Sequence, residues 1–132
     1  MMRRILSFAV GIFPLLLLAE LPPSAYEAMQ AKATEFLEIQ VLRVEIEPGD
    51  SPERQKVSVS ALVNKVNRTG HSLKPGDIIT ISYTITDRQK GWAGPREIPL
   101  LEEMAESVAY LSASPDESVY LPMAGAMSFR NF

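Results

Sequence analysis

Cysteine is absent from this 132-residue chain, and histidine and tryptophan occur once each, as His71 and Trp92. Without cysteine there is no disulfide staple, no thiolate nucleophile and no Cys/His zinc set. With a single histidine, a catalytic triad has to pivot on His71. That residue stands between Gly70 and Ser72, in a stretch with no neighbouring acid to orient its ring, and reads as a solvated loop side chain. Positive charge is in deficit, 13 Lys and Arg against 16 Asp and Glu, so a nucleic-acid partner is not expected. Metal ligands in a recognised spacing are missing as well. Glu45, Glu47, Asp50 and Glu53 supply oxygens, but they match no EF-hand loop and two prolines interrupt them. No metal and no cofactor are predicted.

There is only one long apolar run. Ile5 to Ala19, broken by Ser7, Gly11 and Pro14, follows Met1-Met2-Arg3-Arg4 and precedes Leu21-Pro22-Pro23-Ser24-Ala25. A basic start, an apolar centre and a breaker followed by small residues make the pattern of a signal peptide. The run falls short of the ~20 residues that span a bilayer. Residues 1–25 are therefore predicted to be a helical signal peptide cleaved after Ala25, and the chain to be exported, periplasmic or secreted. Membrane contact is expected only through this segment, and only if it stays uncleaved as an anchor. Export without disulfides suits a bacterial periplasm.

What remains divides into a leader, residues 26–34, and a single domain, residues 35–132. The leader is rich in helix formers with few apolar anchors and reads as a frayed helical turn or a disordered segment. The strongest structural signal is a hairpin from Val57 to Thr86. Val57, Val59, Ala61 and Val63 share one face and Ser58 and Ser60 the other, while Ile79, Ile81, Tyr83 and Ile85 alternate with Thr80, Ser82 and Thr84. Leu73-Lys74-Pro75-Gly76-Asp77 supplies the turn into the second of these strands.

An earlier strand, Glu35 to Glu47, changes phase part-way. Leu37, Ile39 and Val41 share one face, whereas Leu42, Val44 and Ile46 share the other. Either a β-bulge near Val41-Leu42 returns both sets to one core, or the strand serves two sheets in succession. The next strand slips in the same way near Asn64-Lys65. After Pro99, the run Leu100 to Glu106 predicts one or two helical turns. Val108 to Ala113 and Ser118 to Leu121 predict two short strands joined by a type I turn at Ser114-Pro115-Asp116-Glu117. Phe129 is placed to pack back onto the domain.

The predicted fold class is all-β: a small five-stranded, OB-fold-like Greek-key barrel with one short helix between the third and fourth strands. Ala61-Leu62-Val63-Asn64-Lys65-Val66, Leu73 to Tyr83, Ala109-Tyr110-Leu111 and Val119-Tyr120-Leu121-Pro122 together resemble the netrin-type OB domain. That superfamily includes the tissue inhibitors of metalloproteinases. The resemblance covers Phe36 to Leu121 at the level of strand pattern. It implies a fold, and because the family's cysteines are absent it carries no functional residue across.

Catalytic residues are not predicted. Glu102, Glu103 and Glu106, or Asp116 and Glu117, form acid pairs, but a short helix and a turn leave them in water, where their pKa values stay together. Lys65, Arg68, His71 and Lys74 gather positive charge at the tip of the central hairpin. Arg88, Lys90 and Arg96 surround Trp92, which either plugs one end of the barrel or stands out as a contact anchor. These eight residues are the predicted binding set, against the plainer reading of scattered solubilising charge. The expected function is a non-catalytic binding or protein-interaction module of the cell envelope, its partner an unknown protein or envelope polymer. The alternatives are a carboxylate-dependent hydrolase and a structural subunit of an envelope assembly.

Overall fold

The computed structural model describes residues 22–50, 53–86 and 98–130. The predicted signal segment through residue 21, and Arg88, Lys90, Trp92 and Arg96, lie outside the described residues. The elements are a helix α1 (Pro23–Lys32), strands β1 (Glu35–Pro48), β2 (Arg54–Arg68), β3 (Ile78–Thr86), β4 (Glu106–Ala113) and β5 (Tyr120–Pro122), a 3-10 turn (Gly125–Met127) and a short β6 (Phe129–Arg130). Hydrogen bonding follows the order β1-β2-β3-β5-β4-β6, and β1 also pairs with β4. That last pairing closes β1 to β5 into a five-stranded barrel, with β6 lying beside β4.

The period-two faces become the barrel interior. Val57, Val59, Ala61 and Val63 from β2 meet Leu37, Ile39 and Val41 from β1, Ile79, Ile81 and Tyr83 from β3, and Ala109 and Leu111 from β4. Burial of these branched side chains contributes most of the stabilisation, at about 25 cal/mol per Å² of apolar surface removed from water. Phe129 closes the interior beside Tyr83, ring centroids 5.8 Å apart.

Both phase slips are bulges. Val41 opposes Ala61 and Arg43 opposes Ser60, which leaves Leu42 as the extra residue of β1. Glu38 opposes Lys65 and Ile39 opposes Val63, which leaves Asn64 as the extra residue of β2. Beyond the first bulge Val44 packs on the core, while Ile46 stands 45% exposed at the rim. The bend lets the first half of β1, Glu35 to Gln40, serve β2 on one side and β4 on the other. The hairpin turn follows its residue types, with Pro75 at its second position, Gly76 at φ 96° in the third and an Asp77 N–H to Lys74 O bond of 3.0 Å.

The predicted helix between the third and fourth strands does not form. Residues 100–106 instead run as a turn in which Met104 sits at φ 70°, its N–H donating to Val41 O at 2.6 Å. The backbone of β1, bent at its bulge, takes up the groups a helix would have satisfied internally. Val41 N–H likewise donates to Ala105 O. The α-helix lies before β1, in the stretch read as a leader. Tyr26 and Ala33 are buried, and Gln30 Nε2 donates to Met127 O at 2.9 Å.

Candidate functional site

The two ends of the β1–β2 hairpin carry different chemistry. At the end where β1 begins and β2 finishes, Glu35 is fully buried, 0% exposed. Its carboxylate accepts hydrogen bonds from Thr34 Oγ1, from Thr69 Oγ1 at 2.6 Å and from Gly70 N–H at 3.0 Å. His71 Nδ1 lies 3.1 Å from Glu35 Oε2. Burial pushes the Glu35 carboxyl up, and the bonds from Thr34, Thr69, His71 and Gly70 outweigh it, holding the group below its ordinary value. The other ring nitrogen of His71, Nε2, is 3.7 Å from Glu117 Oε1, and the ring meets Tyr120 edge-on. Burial raises the Tyr120 hydroxyl pKa, with the charges of Glu35, Glu117 and Asp77 adding to it.

His71 is thus oriented by an acid 36 residues away, contrary to the reading of a solvated loop side chain. Among the described residues no nucleophile stands on the histidine. Both threonine hydroxyls donate to Glu35, and Nε2 faces a carboxylate. It fastens three connections to one buried charge: the start of β1, the β2–β3 loop and the β4–β5 turn.

The rest of the basic tip is also engaged. Arg68 donates to Gln30 O at 2.7 Å and lies over the ring of Phe36, which stacks on Tyr110 at 4.5 Å. Lys65 pairs with Glu38 at 3.7 Å. Lys74 is exposed at the turn, and its ammonium forms no ion pair among the described residues. The hairpin therefore brings Lys65, Arg68, His71 and Lys74 to one end, but three of the four contact groups of the protein itself.

Members of the acid pairs are likewise engaged by the protein itself. Glu103 Oε2 accepts Val44 N–H at 3.0 Å. Asp116 is held at a pKa of about 2 by Ser114 Oγ, Ser118 Oγ and the Ser118 N–H. No cluster of three metal-ligating side chains occurs among the described residues, and no helix there is long and apolar enough to cross a membrane.

At the opposite end, where β1 finishes and β2 begins, a cleft of about 260 Å³ opens on the outer face of β2 and β3. It is lined by Gly49, Asp50, Arg54, Lys56, Ser82 and Thr84. Arg54 and Lys56 alternate with Gln55 and so share the outward face; Lys56 stands directly across from Thr84, and Ser58 across from Ser82. Gly49 N–H donates to Arg54 O at 2.8 Å, and a Cβ on Gly49 would lie 2.8 Å from that same oxygen, so glycine permits the tight approach that forms the cleft's edge. A larger hollow, about 330 Å³, lies along Pro99 to Glu102 beside Phe129 and Arg130, and brings together one acid and one base.

The sequence reading did not single out Arg54, Lys56, Ser82 and Thr84. The outward parity of each strand was legible, but the register that sets Lys56 against Thr84 was not. Compared with family models, with characterised proteins and with solved structures, the chain matches none.

Proposed function

We propose that this protein is an exported, non-catalytic binding module of the cell envelope, carried on an OB-fold-like Greek-key barrel of netrin type. Support for the fold comes from the connectivity: three antiparallel strands, a parallel β3–β5 contact and closure through β1–β4. Support for export is the pattern of residues 1–25.

The observation that carries the binding reading is the cleft on β2 and β3. OB-type barrels commonly present ligands with this face and the β1–β2 loop. Here that face holds Arg54 and Lys56, which form no ion pair among the described residues. The barrel interior is filled by side chains, which leaves the outer surface as the place for a partner. Trp92, with Arg88, Lys90 and Arg96, belongs to the proposed contact set from the sequence side.

Capture from native envelope extract on the immobilised protein tests the reading. The wild-type chain is expected to retain a partner that an Arg54→Ala/Lys56→Ala variant of unchanged melting temperature does not. Equal retention by both would remove the cleft from the binding function. Trp92→Ala is expected to weaken capture more than it lowers the melting temperature.

A further inference from the structure

The cleft's side chains define a narrower ligand chemistry, and this step rests on the binding reading above. Two cations, Arg54 and Lys56, project from alternate positions of β2 on one face. Across the strand boundary stand two hydroxyl side chains, Ser82 and Thr84, for which no side-chain hydrogen bond forms among the described residues. Asp50 adds one carboxylate at the rim. We propose that the cleft is a subsite for one unit of an acidic saccharide, a sugar carrying a carboxylate or phosphate group.

The argument is one of matching donors and acceptors. Arg54 and Lys56 are donors without acceptor capacity, and their natural partner is an anion, with the guanidinium fork suited to bidentate contact. Ser82 and Thr84 both donate and accept, as sugar hydroxyls do. Asp50, ionised, accepts only, and suits a ligand that offers hydroxyl donors beside its charge. A bare inorganic anion would gain nothing from Asp50, and a neutral sugar would leave the two cations unmatched. At about 260 Å³ the cleft sits just under the small end of ligand pockets, ~300 Å³, enough for a sugar-sized unit and little more. Arg54, Lys56, Ser82 and Thr84 lie on paired strands, so their placement is set by the β2–β3 register.

The test is titration calorimetry of the intact protein with trigalacturonic acid, maltotriose and inorganic phosphate as probes. Trigalacturonic acid is expected to bind about tenfold or more tighter than either of the others. Its affinity is expected to fall between about 0.1 M and 1 M salt, where the Debye length shrinks from ~10 Å to ~3 Å. Arg54→Ala and Lys56→Ala are each expected to weaken it about tenfold, and Ser82→Ala/Thr84→Ala to weaken it while leaving the salt dependence intact. A glucose 6-phosphate titration distinguishes phosphate-bearing sugars from carboxylate-bearing ones. Equal binding of maltotriose, or full affinity in the Arg54→Ala/Lys56→Ala variant, overturns the proposal. If both acidic sugars fail while that variant still loses envelope capture, the saccharide assignment falls and the binding reading stands. If the variant keeps both its affinity for the acidic sugars and its envelope capture, the cleft has no part in binding and the proposal falls.

Discussion

Glu35 is the residue on which the stability of the hairpin end turns. A buried carboxylate is tolerated only when donors replace the water it has lost. Here Thr34, Thr69, Gly70 and His71 do so. Glu35→Ala removes the shared acceptor and strands those donors, so a loss of about 3 kcal/mol is expected in urea unfolding. Acid should act in the same direction. Because the folded carboxyl titrates below its ordinary value, the unfolded chain binds a proton more readily than the folded one. The stabilisation is fully present above the ordinary carboxylate pKa of about 4.3 and is lost as pH falls through the lower folded value. The stability gap between wild type and Glu35→Gln should therefore narrow as pH falls below about 4. A gap independent of pH would mean that the charge of Glu35 contributes nothing. None of this was legible in the sequence, where Glu35 and His71 are 36 positions apart. Only the pairing that lays Phe36 across from Arg68 brings them together.

At the scale of elements, the sequence was most informative where its period broke. The phase changes at Leu42 and Asn64 mark true bulges because a strand whose faces swap needs one extra residue to keep its core side inward. The turn at Lys74 to Asp77 was readable for a similar reason, since Pro75 and Gly76 each suit one set of dihedrals. Residues 100–106 misled because helix propensity is a weak preference, about 0.7 kcal/mol per residue at most for ordinary residues. Backbone bonds to Val41 and burial of Leu101 outweigh it. The outcome leaves Met104 in the left-handed region at φ 70° with its side chain 66% exposed. That conformation costs a non-glycine residue about 1–2 kcal/mol, and glycine's extra freedom in the unfolded chain costs roughly 0.5–1 kcal/mol. Met104→Gly should thus stabilise the protein by about 0.5 kcal/mol, read as a raised urea midpoint at unchanged slope. A lower midpoint would assign the Met104 side chain a packing role that its exposure argues against.

For the whole molecule, the barrel is closed by two seams of unequal strength. Across one, β1 and β4 pair in register from Glu35–Leu111 to Gln40–Glu106. Across the other, β3 meets β5 in parallel at Ile81–Tyr120, and β5 is otherwise held by β4 at Leu111 to Ala113. Parallel pairing is the weaker kind per residue, and a three-residue strand has few bonds to lose. Opening there detaches β5 without disturbing β2, whose Val57, Val59, Ala61 and Val63 are all enclosed. Native-state hydrogen exchange should then separate the two regions. The amides of Tyr120 and Leu121 are expected to exchange through a low-energy opening with little dependence on denaturant, while those of Val57 to Val63 follow global unfolding. Exchange of both groups along one isotherm would make the barrel a single cooperative unit. The same asymmetry bears on binding, because Arg54, Lys56, Ser82 and Thr84 lie on the strong β2–β3 pairing. Tyr120→Ala should accelerate exchange in β5 and lower the melting temperature, yet leave the affinity of the β2–β3 cleft for trigalacturonic acid within about twofold of wild type, since Tyr120 packs on the core and on His71 whereas the cleft side chains stand on the outer face of β2 and β3.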